Sequence, residues 1–413
     1  MEQTPKGNRL HIALFGRTNV GKSSLLNFLV GQDIAITSPI AGTTTDVVEK
    51  AAELLPLGPV LFLDTAGLDD ASMLAGLRME KTNKIFDRAE VILLVTEPGV
   101  WTGYEDAVVT ESRRRGLPTL AIVNKIDTGK PASDFLEKVA AKAGRVLSLS
   151  SIDPENRDAY LELLKKELQA IAPGDRIRNP SLIGDLLPAG GIAVLVVPID
   201  LQAPKGRLIL PQVQTIRDAL DHDATVVVVK ERELAAVLAR LGGVPDIVVC
   251  DSQAVLKVTA DVPREVPCTT FSILFARQKG DLAAAAAGAA ALEGLRPGDR
   301  VLIAEACSHH ALQDDIGRVK IPRWIRQFVG GEIQADVCSG RDYPGNLRDY
   351  KLVIHCGGCM LTRREMLSRI EKAREAGVPV TNYGVAISLL QGVIQRTLAP
   401  FPAARMAYEK NRR

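Results

Sequence analysis

The sequence predicts an α/β protein in three parts. They are a phosphate-loop domain over residues 1–172, a small middle α/β domain over 178–264, and a mostly parallel α/β domain over 265–413. Three observations lead there. Short apolar runs alternate with helical stretches along most of the chain, the pattern of parallel strands covered by helices on both faces. A glycine-rich segment, Gly16-Arg17-Thr18-Asn19-Val20-Gly21-Lys22-Ser23, joins the first apolar run to the first helix. Cysteines and histidines gather at the ends of two late apolar segments, Val301-Leu302-Ile303-Ala304 and Lys351-Leu352-Val353-Ile354.

Composition narrows the function. With 46% apolar and 24% charged residues, the 413-residue chain reads as a soluble globular protein. A net charge of +2 offers no field for nucleic acid or an anionic membrane, and 4% aromatics leave little for base stacking. Six cysteines without a disulfide framework point to a reducing compartment, and Met1 to Lys6 lack a signal core, so a cytoplasmic location is expected. The alanine-rich run from Leu282 to Leu295, interrupted by Gly288 and Glu293, reads as a packed helix rather than a membrane span.

In the first domain the strand His11-Ile12-Ala13-Leu14-Phe15 runs into the glycine-rich segment and then into an apolar helix, the context a phosphate loop requires. Backbone N–H groups from Gly16 to Ser24 would cradle phosphates at the helix N-terminus. Lys22 would reach the β/γ oxygens and Ser23 would ligate magnesium (Mg2+). Further motifs follow in order. Asp64-Thr65-Ala66-Gly67 ends the strand Val60-Leu61-Phe62-Leu63, giving a carboxylate to the magnesium shell and an N–H to the γ-phosphate. Gly42-Thr43-Thr44-Thr45-Asp46 supplies a switch threonine, Thr44, for the same ion. Asn124-Lys125-Ile126-Asp127 ends the strand Leu120-Ala121-Ile122-Val123. There Asp127 can accept guanine N1–H and N2–H, which adenine does not offer, and Ser150 can back up base recognition. The domain reads as a P-loop GTPase that binds GTP. Leu68 stands where Ras-like proteins carry a water-orienting glutamine.

The middle domain follows a linker marked by Ala172-Pro173-Gly174 and Arg178-Asn179-Pro180. Its expected strands are Ile192 to Val197, Ala224 to Val229 and Asp246 to Cys250, with a helix from Glu231 to Leu241; Ala203 to Gln212 reads as an exposed turn with an apolar edge. No catalytic constellation stands out, so a structural or subunit-pairing role is expected, with Cys250 in the core. In the third domain, helices are expected at Leu282 to Leu292, near Ile321 to Phe328, at Arg363 to Ala376 and at Ala386 to Leu398. The strands expected between them are Arg300 to Ala304, Tyr350 to His355 and Val378 to Thr381.

If the strands ending at Ala304 and Ile354 are parallel neighbours, Cys307-Ser308-His309-His310 and His355-Cys356-Gly357-Gly358-Cys359 leave the same edge of the sheet. That edge is where open α/β sheets place ligands. Three thiols there suit an iron–sulfur cluster or a zinc ion, and buried cysteines beside incidental histidines are the plain alternative. The order of cysteines and histidines does not match a Rieske centre. Cys268 and Cys338 lie outside both halves and read as bystanders.

Two resemblances sharpen this. Asn19 in the phosphate loop, with Gly42-Thr43-Thr44-Thr45, resembles the TrmE/Era group of GTPases. That likeness implies a potassium ion at Asn19 in place of an arginine finger. Over nearly its full length the chain resembles the HydF family of FeFe-hydrogenase maturation GTPases, with the cysteine motifs as the specific part. This second resemblance implies a 4Fe-4S cluster on Cys307, Cys356 and Cys359, with a variable fourth corner for which His309 and His355 are candidates. It also implies a homodimer or larger assembly through the middle domain. The implied role is a scaffold and carrier that receives a di-iron precursor from radical-SAM hydrogenase maturases and delivers it to apo FeFe-hydrogenase. An RNA-linked GTPase and a zinc-containing regulatory GTPase are the other readings.

Overall fold

A β1 strand that is buried along its whole length organises the amino-terminal part of the chain. In a computed structural model, residues 4–30, 48–64, 76–172, 180–199, 208–242, 244–306, 315–340 and 343–412 are described. Contacts divide the chain into two compact units, Met1–Asn179 and Pro180–Arg413.

The first unit is built on strands β1 (Leu10–Phe15), β2 (Val48–Leu54), β3 (Gly58–Asp64), β4 (Val91–Thr96), β5 (Thr119–Val123) and β6 (Arg145–Ser148), in the order β2-β3-β1-β4-β5-β6. Only the β2–β3 pair is antiparallel. Successive β1 side chains go to opposite faces. Ile12 and Leu14 pack with Leu25, Leu26 and Leu164 on one side, while Ala13 and Phe15 pack with Ile85, Phe86 and Val108 on the other. This double burial is why Ile12 to Phe15 reads as an unbroken apolar run. Phe15 stacks on Phe86 with ring centroids 4.6 Å apart. Burying each such side chain is worth about 1.5–3 kcal/mol.

The second unit contains two four-stranded parallel sheets. The first comprises β7 (Ile192–Val196), β8 (Thr225–Val229), β9 (Ile247–Cys250) and β10 (Cys268–Thr270), ordered β10-β9-β7-β8. The second comprises β11 (Arg300–Ala304), β12 (Gln334–Cys338), β13 (Leu352–His355) and β14 (Val380–Asn382), ordered β12-β11-β13-β14. One apolar core serves both and includes Val194, Val248, Phe275, Val301 and Ile354. Between the sheets in sequence lies the helix Phe271–Lys279, capped by Thr270 Oγ1, which accepts from Ile273 N at 3.2 Å.

Some elements differ from the sequence expectation. Ile209 to Gln212 does not form an apolar edge; it opens the helix Leu210–Asp221. Pro211 sits in the first turn, where its missing N–H costs nothing, and Gln212 Oε1 accepts from Ile209 N at 3.0 Å. The expected helix from Ala386 to Leu398 is two pieces, Tyr383–Leu390 and Ile394–Thr397. Gly392, at φ 73°, breaks it in the left-handed region. Among the described residues, no helix is long and apolar enough to cross a membrane.

Candidate functional site

Phosphate-loop residues lie at the carboxyl end of β1 and are held by their neighbours. At Gly16 a Cβ would stand 2.5 Å from Val95 O, so the loop passes β4 too closely for any other residue. Lys22 opens the helix Lys22–Val30, and its Nζ donates to Gly16 O at 2.6 Å and Arg17 O at 2.8 Å, placing the ammonium across the loop. Ser23 and Ser24 are exposed in the first turn of that helix, at its electropositive end. Asp64 lies level with Leu14 on the adjoining strand and is buried.

The residues expected to read the base reach the same loop. Asn124 is fully buried; its Nδ2 donates to Val20 O and its Oδ1 accepts from Ser151 N, both at 3.0 Å. Gly21 has φ 92°, and a Cβ there would meet Asn124 Nδ2 at 2.3 Å. Lys125 Nζ donates to Asn19 O at 2.6 Å and pairs with Glu97 at 2.5 Å. Asp127 is exposed and accepts from Ser150 Oγ at 2.5 Å, which fixes the carboxylate and leaves it facing solvent. Asn19 is exposed, with φ 65°. Thr44, Gly67 and Leu68 lie outside the described residues.

The second constellation lies at the carboxyl edge of the last sheet. β11 and β13 are parallel neighbours, with Ala304 level with His355 and, on the other side, with Cys338. Cys356 N donates to Ala304 O at 3.0 Å, and Cys356 Sγ accepts from Ala306 N at 3.1 Å. The chain leading to Cys307 therefore passes directly beside Cys356. Gly358 takes φ 63°, and a Cβ there would meet Met366 Cε at 2.4 Å, so this glycine sets the turn between Cys356 and Cys359. Burial pushes the Cys359 thiol up, while the Lys279 charge pulls it down. Lys279 is buried and donates to Cys359 O at 2.9 Å and Leu361 O at 2.8 Å. Cys307 and His309 lie outside the described residues, and among the described residues no three metal-ligating side chains converge.

His355 is buried, and that burial, helped by the Arg369 charge, pushes its imidazole down to about 3 against the opposing hydrogen bond of the Ala304 backbone. The ring is neutral and stacks on Tyr343 with centroids 5.5 Å apart; Nε2 stands 3.4 Å from the Tyr343 hydroxyl. Cys250 and Cys268 are buried on adjacent strands, and hydrogen bonding to Cys268, with burial, pushes the Cys250 thiol up.

Sequence reasoning missed several residues. Glu305 is buried at the end of β11, where its carboxylate meets Arg318 at 3.3 Å, Ser339 at 3.2 Å and Tyr383 at 3.4 Å. Glu97, Tyr104 and Glu105 touch the nucleotide motifs from a segment with no motif of its own.

Comparison with known families agrees with this architecture. Residues 11–125 match the family described as 50S ribosome-binding GTPase. Residues 182–280 match the hydrogen maturase F dimerization domain, and residues 283–400 match the hydrogen maturase F tetramerization domain. Among curated proteins, the tRNA modification GTPase MnmE of Dechloromonas aromatica is 36% identical over 166 residues, covering 40% of this chain and 35% of that protein. MnmE of Ralstonia nicotianae is 39% identical over 127 residues, covering 29% and 27%. The chain thus spans about a quarter to a third of the length of these relatives. Among solved structures, Era of Aquifex aeolicus bound to GDP.AlF4- aligns at 19% identity and a TM-score of 0.31, over 56% of this chain and 98% of that one. Toc33 of Arabidopsis thaliana with Mg2+ and GMPPNP aligns at 18% identity and a TM-score of 0.31, over 41% and 86%. The protein is a P-loop GTPase whose later domains are those of a homo-oligomer. With the two hydrogen maturase F domains together spanning more than half of its residues, the chain belongs to the hydrogen maturase F (HydF) family.

Proposed function

We propose that this GTPase is the scaffold on which radical-SAM hydrogenase maturases assemble a di-iron precursor, and the carrier that delivers it to apo FeFe-hydrogenase. The observation that carries the reading is the pairing of β11 with β13, which brings the backbone before Cys307 beside Cys356. Cys307, Cys356 and Cys359 would hold a 4Fe-4S cluster, which supplies an anchor with one corner open to exchange. The donor set fits that group: Ala306 N–H donates to the Cys356 sulfur, and a buried cation, Lys279, lies beside Cys359 to offset thiolate charge. His309 and His355 are candidates for the open corner. The neutral imidazole of His355 is compatible with ligation, although its Nε2 is turned to Tyr343.

In the GTPase part, Asp127 and Ser150 select guanine, while Asn124 and Lys125 lock the base-reading segment onto the phosphate loop. Lys22 and the loop N–H groups neutralise the phosphates as water attacks the γ-phosphorus and GDP leaves. Ser23 and Thr44 would hold Mg2+, with Asp64 in its outer shell and Gly67 N–H on the γ-phosphate. Asn19 would hold potassium, which would supply the charge that an arginine finger supplies in other GTPases. The cytoplasm is the expected compartment, and the division at 172/178 and 264/265 into GTPase, pairing and cluster parts belongs to the same reading. Self-pairing is supported by β8, an edge strand whose Val228 is exposed.

The test is transfer. Protein incubated anaerobically with the maturases and their substrates, then re-isolated, is expected to activate apo-hydrogenase, and the Cys356→Ala variant to activate none. Equal activation by both proteins, or none by the wild type, contradicts the carrier reading.

A further inference from the structure

In one short segment, Tyr104 and Glu105 touch the phosphate loop, and Glu97 touches Lys125. Tyr104 OH accepts the Gly16 N–H at 3.3 Å. Glu105 Oε1 accepts from Arg17 Nε at 2.8 Å, and its side chain is completely buried while that of Arg17 is 19% exposed. The other carboxylate oxygen, Oε2, accepts from Thr102 N at 2.8 Å and Thr102 Oγ1 at 2.6 Å, and Thr102 Oγ1 in turn accepts from Tyr104 N at 3.3 Å. This is the capping box of the helix Gly103–Arg114. Glu105 is thus committed on both oxygens, one to its own helix and one to the loop. At the start of the segment, Glu97 pairs with Lys125, whose Nζ also donates to Asn19 O.

We infer that Tyr104 and Glu105 are positioning residues for the phosphate loop. They anchor its first two residues to a capped helix so that the following N–H groups face the phosphates before nucleotide arrives. The chemistry favours this over a merely structural ion pair. A buried carboxylate is retained only where its partners are fixed, and here the partner is the loop residue next to Gly16. The Gly16 carbonyl also accepts from Lys22, so Tyr104 and Lys22 grip the two sides of the same residue. Glu97, through Lys125, sets the loop's middle from the same segment. Donors held ready for the phosphates before GTP binds, and meeting them equally in the ground and transition states, lower KM without raising kcat.

The readouts are nucleotide affinity, KM, kcat and melting temperature on the full chain. Glu105→Gln keeps the capping-box geometry, because glutamine also serves at that helix position, but removes the charge facing Arg17. It is expected to raise the GDP Kd and the GTP KM about tenfold, with kcat held within about twofold. Tyr104→Phe is expected to raise both by about threefold. Glu111→Gln, at the far end of the same helix where the carboxylate pairs with Arg114 and Arg115, serves as the control with unchanged KM. Arg17→Met combined with Glu105→Gln should lose no more affinity than the worse single change, since both break one link. Tyr104→Phe stands alone as a test if the Glu105 variant does not fold. Unchanged Kd and KM would overturn the inference. So would losses that track a fall in melting temperature, additive losses in the double variant, or a fall in kcat at constant KM.

Discussion

The carboxyl edge of the first sheet and that of the last sheet use the same geometry for different chemistry. In both, residues leave the ends of adjacent parallel strands and meet outside the sheet. At the first edge the polar groups already satisfy one another: Asn124 bridges Val20 and Ser151, Lys125 holds Asn19, and Ser150 holds Asp127. At the second edge the groups are thiols, which are weak hydrogen-bonding partners, and they are shaped by backbone: Ala306 N–H on Cys356 and the left-handed turn at Gly358. A site for a whole polar nucleotide is preorganised by its own hydrogen bonds. The cluster site proposed for the second edge would be specified mainly by where the chain places the sulfurs.

If the two edges are separate devices, each should fail alone. The largest effect is expected from Lys22→Ala, which removes the ammonium that bridges Gly16 and Arg17 and would neutralise the phosphates. GTP hydrolysis should fall by a factor of about a hundred or more, while iron uptake measured on the same preparation stays at the wild-type level. Loss of iron in this variant would break the comparison.

Gly21→Ala should come next. The new Cβ would need to lie 2.3 Å from Asn124 Nδ2 on a backbone with φ 92°, so the Val20 bond and the turn cannot both survive. GTP affinity is expected to fall about tenfold or more, from one broken buried hydrogen bond together with left-handed strain. Binding of a fluorescent GDP analogue checks this, and an unaltered Kd would show that the loop is not held through Asn124.

The smallest effect concerns pH. His355 is pushed down to about 3 by burial, whereas the unfolded chain titrates near the ordinary value of 6.5. Between those values the unfolded state binds a proton that the folded state refuses. Stability contributed by the neutral ring is therefore complete above pH 6.5 and is lost progressively as pH falls toward 3. At pH 5 the loss is about 2 kcal/mol. Urea unfolding of His355→Phe, which keeps a ring against Tyr343, should show a shallower acid decline than wild type. Parallel declines would mean that the imidazole is not held neutral.

Much of the first edge was legible because each motif is contiguous and follows a strand that is apolar on both faces. The brace at Tyr104 and Glu105 was not, because each contact spans 88 positions and nothing local in Thr102 to Asp106 signals more than a helix start. At the last sheet, β11 and β13 were legible as buried strands ending in cysteine. β12 was not: it is an edge strand, and Gln334-Ala335-Asp336-Val337-Cys338 carries too few apolar residues to announce itself. Sequence alone therefore gives no sign that Cys338 stands level with Ala304. The helix Leu210–Asp221 was obscured by Ile209-Leu210-Pro211, whose proline reads as a break until it is placed in a first turn.

We propose that the cysteines at the β11–β13 edge hold an iron–sulfur cluster in a chain whose GTPase is chemically independent of it. Iron, acid-labile sulfide and zinc per chain, measured after anaerobic purification alongside GTP turnover, test it most directly. The wild type should carry about four irons and about four sulfides, and Cys356→Ala or Cys359→Ala should lose both while GTP turnover persists. Zinc in place of iron, or iron and sulfide retained in both cysteine variants, would rule out a cluster held by these cysteines.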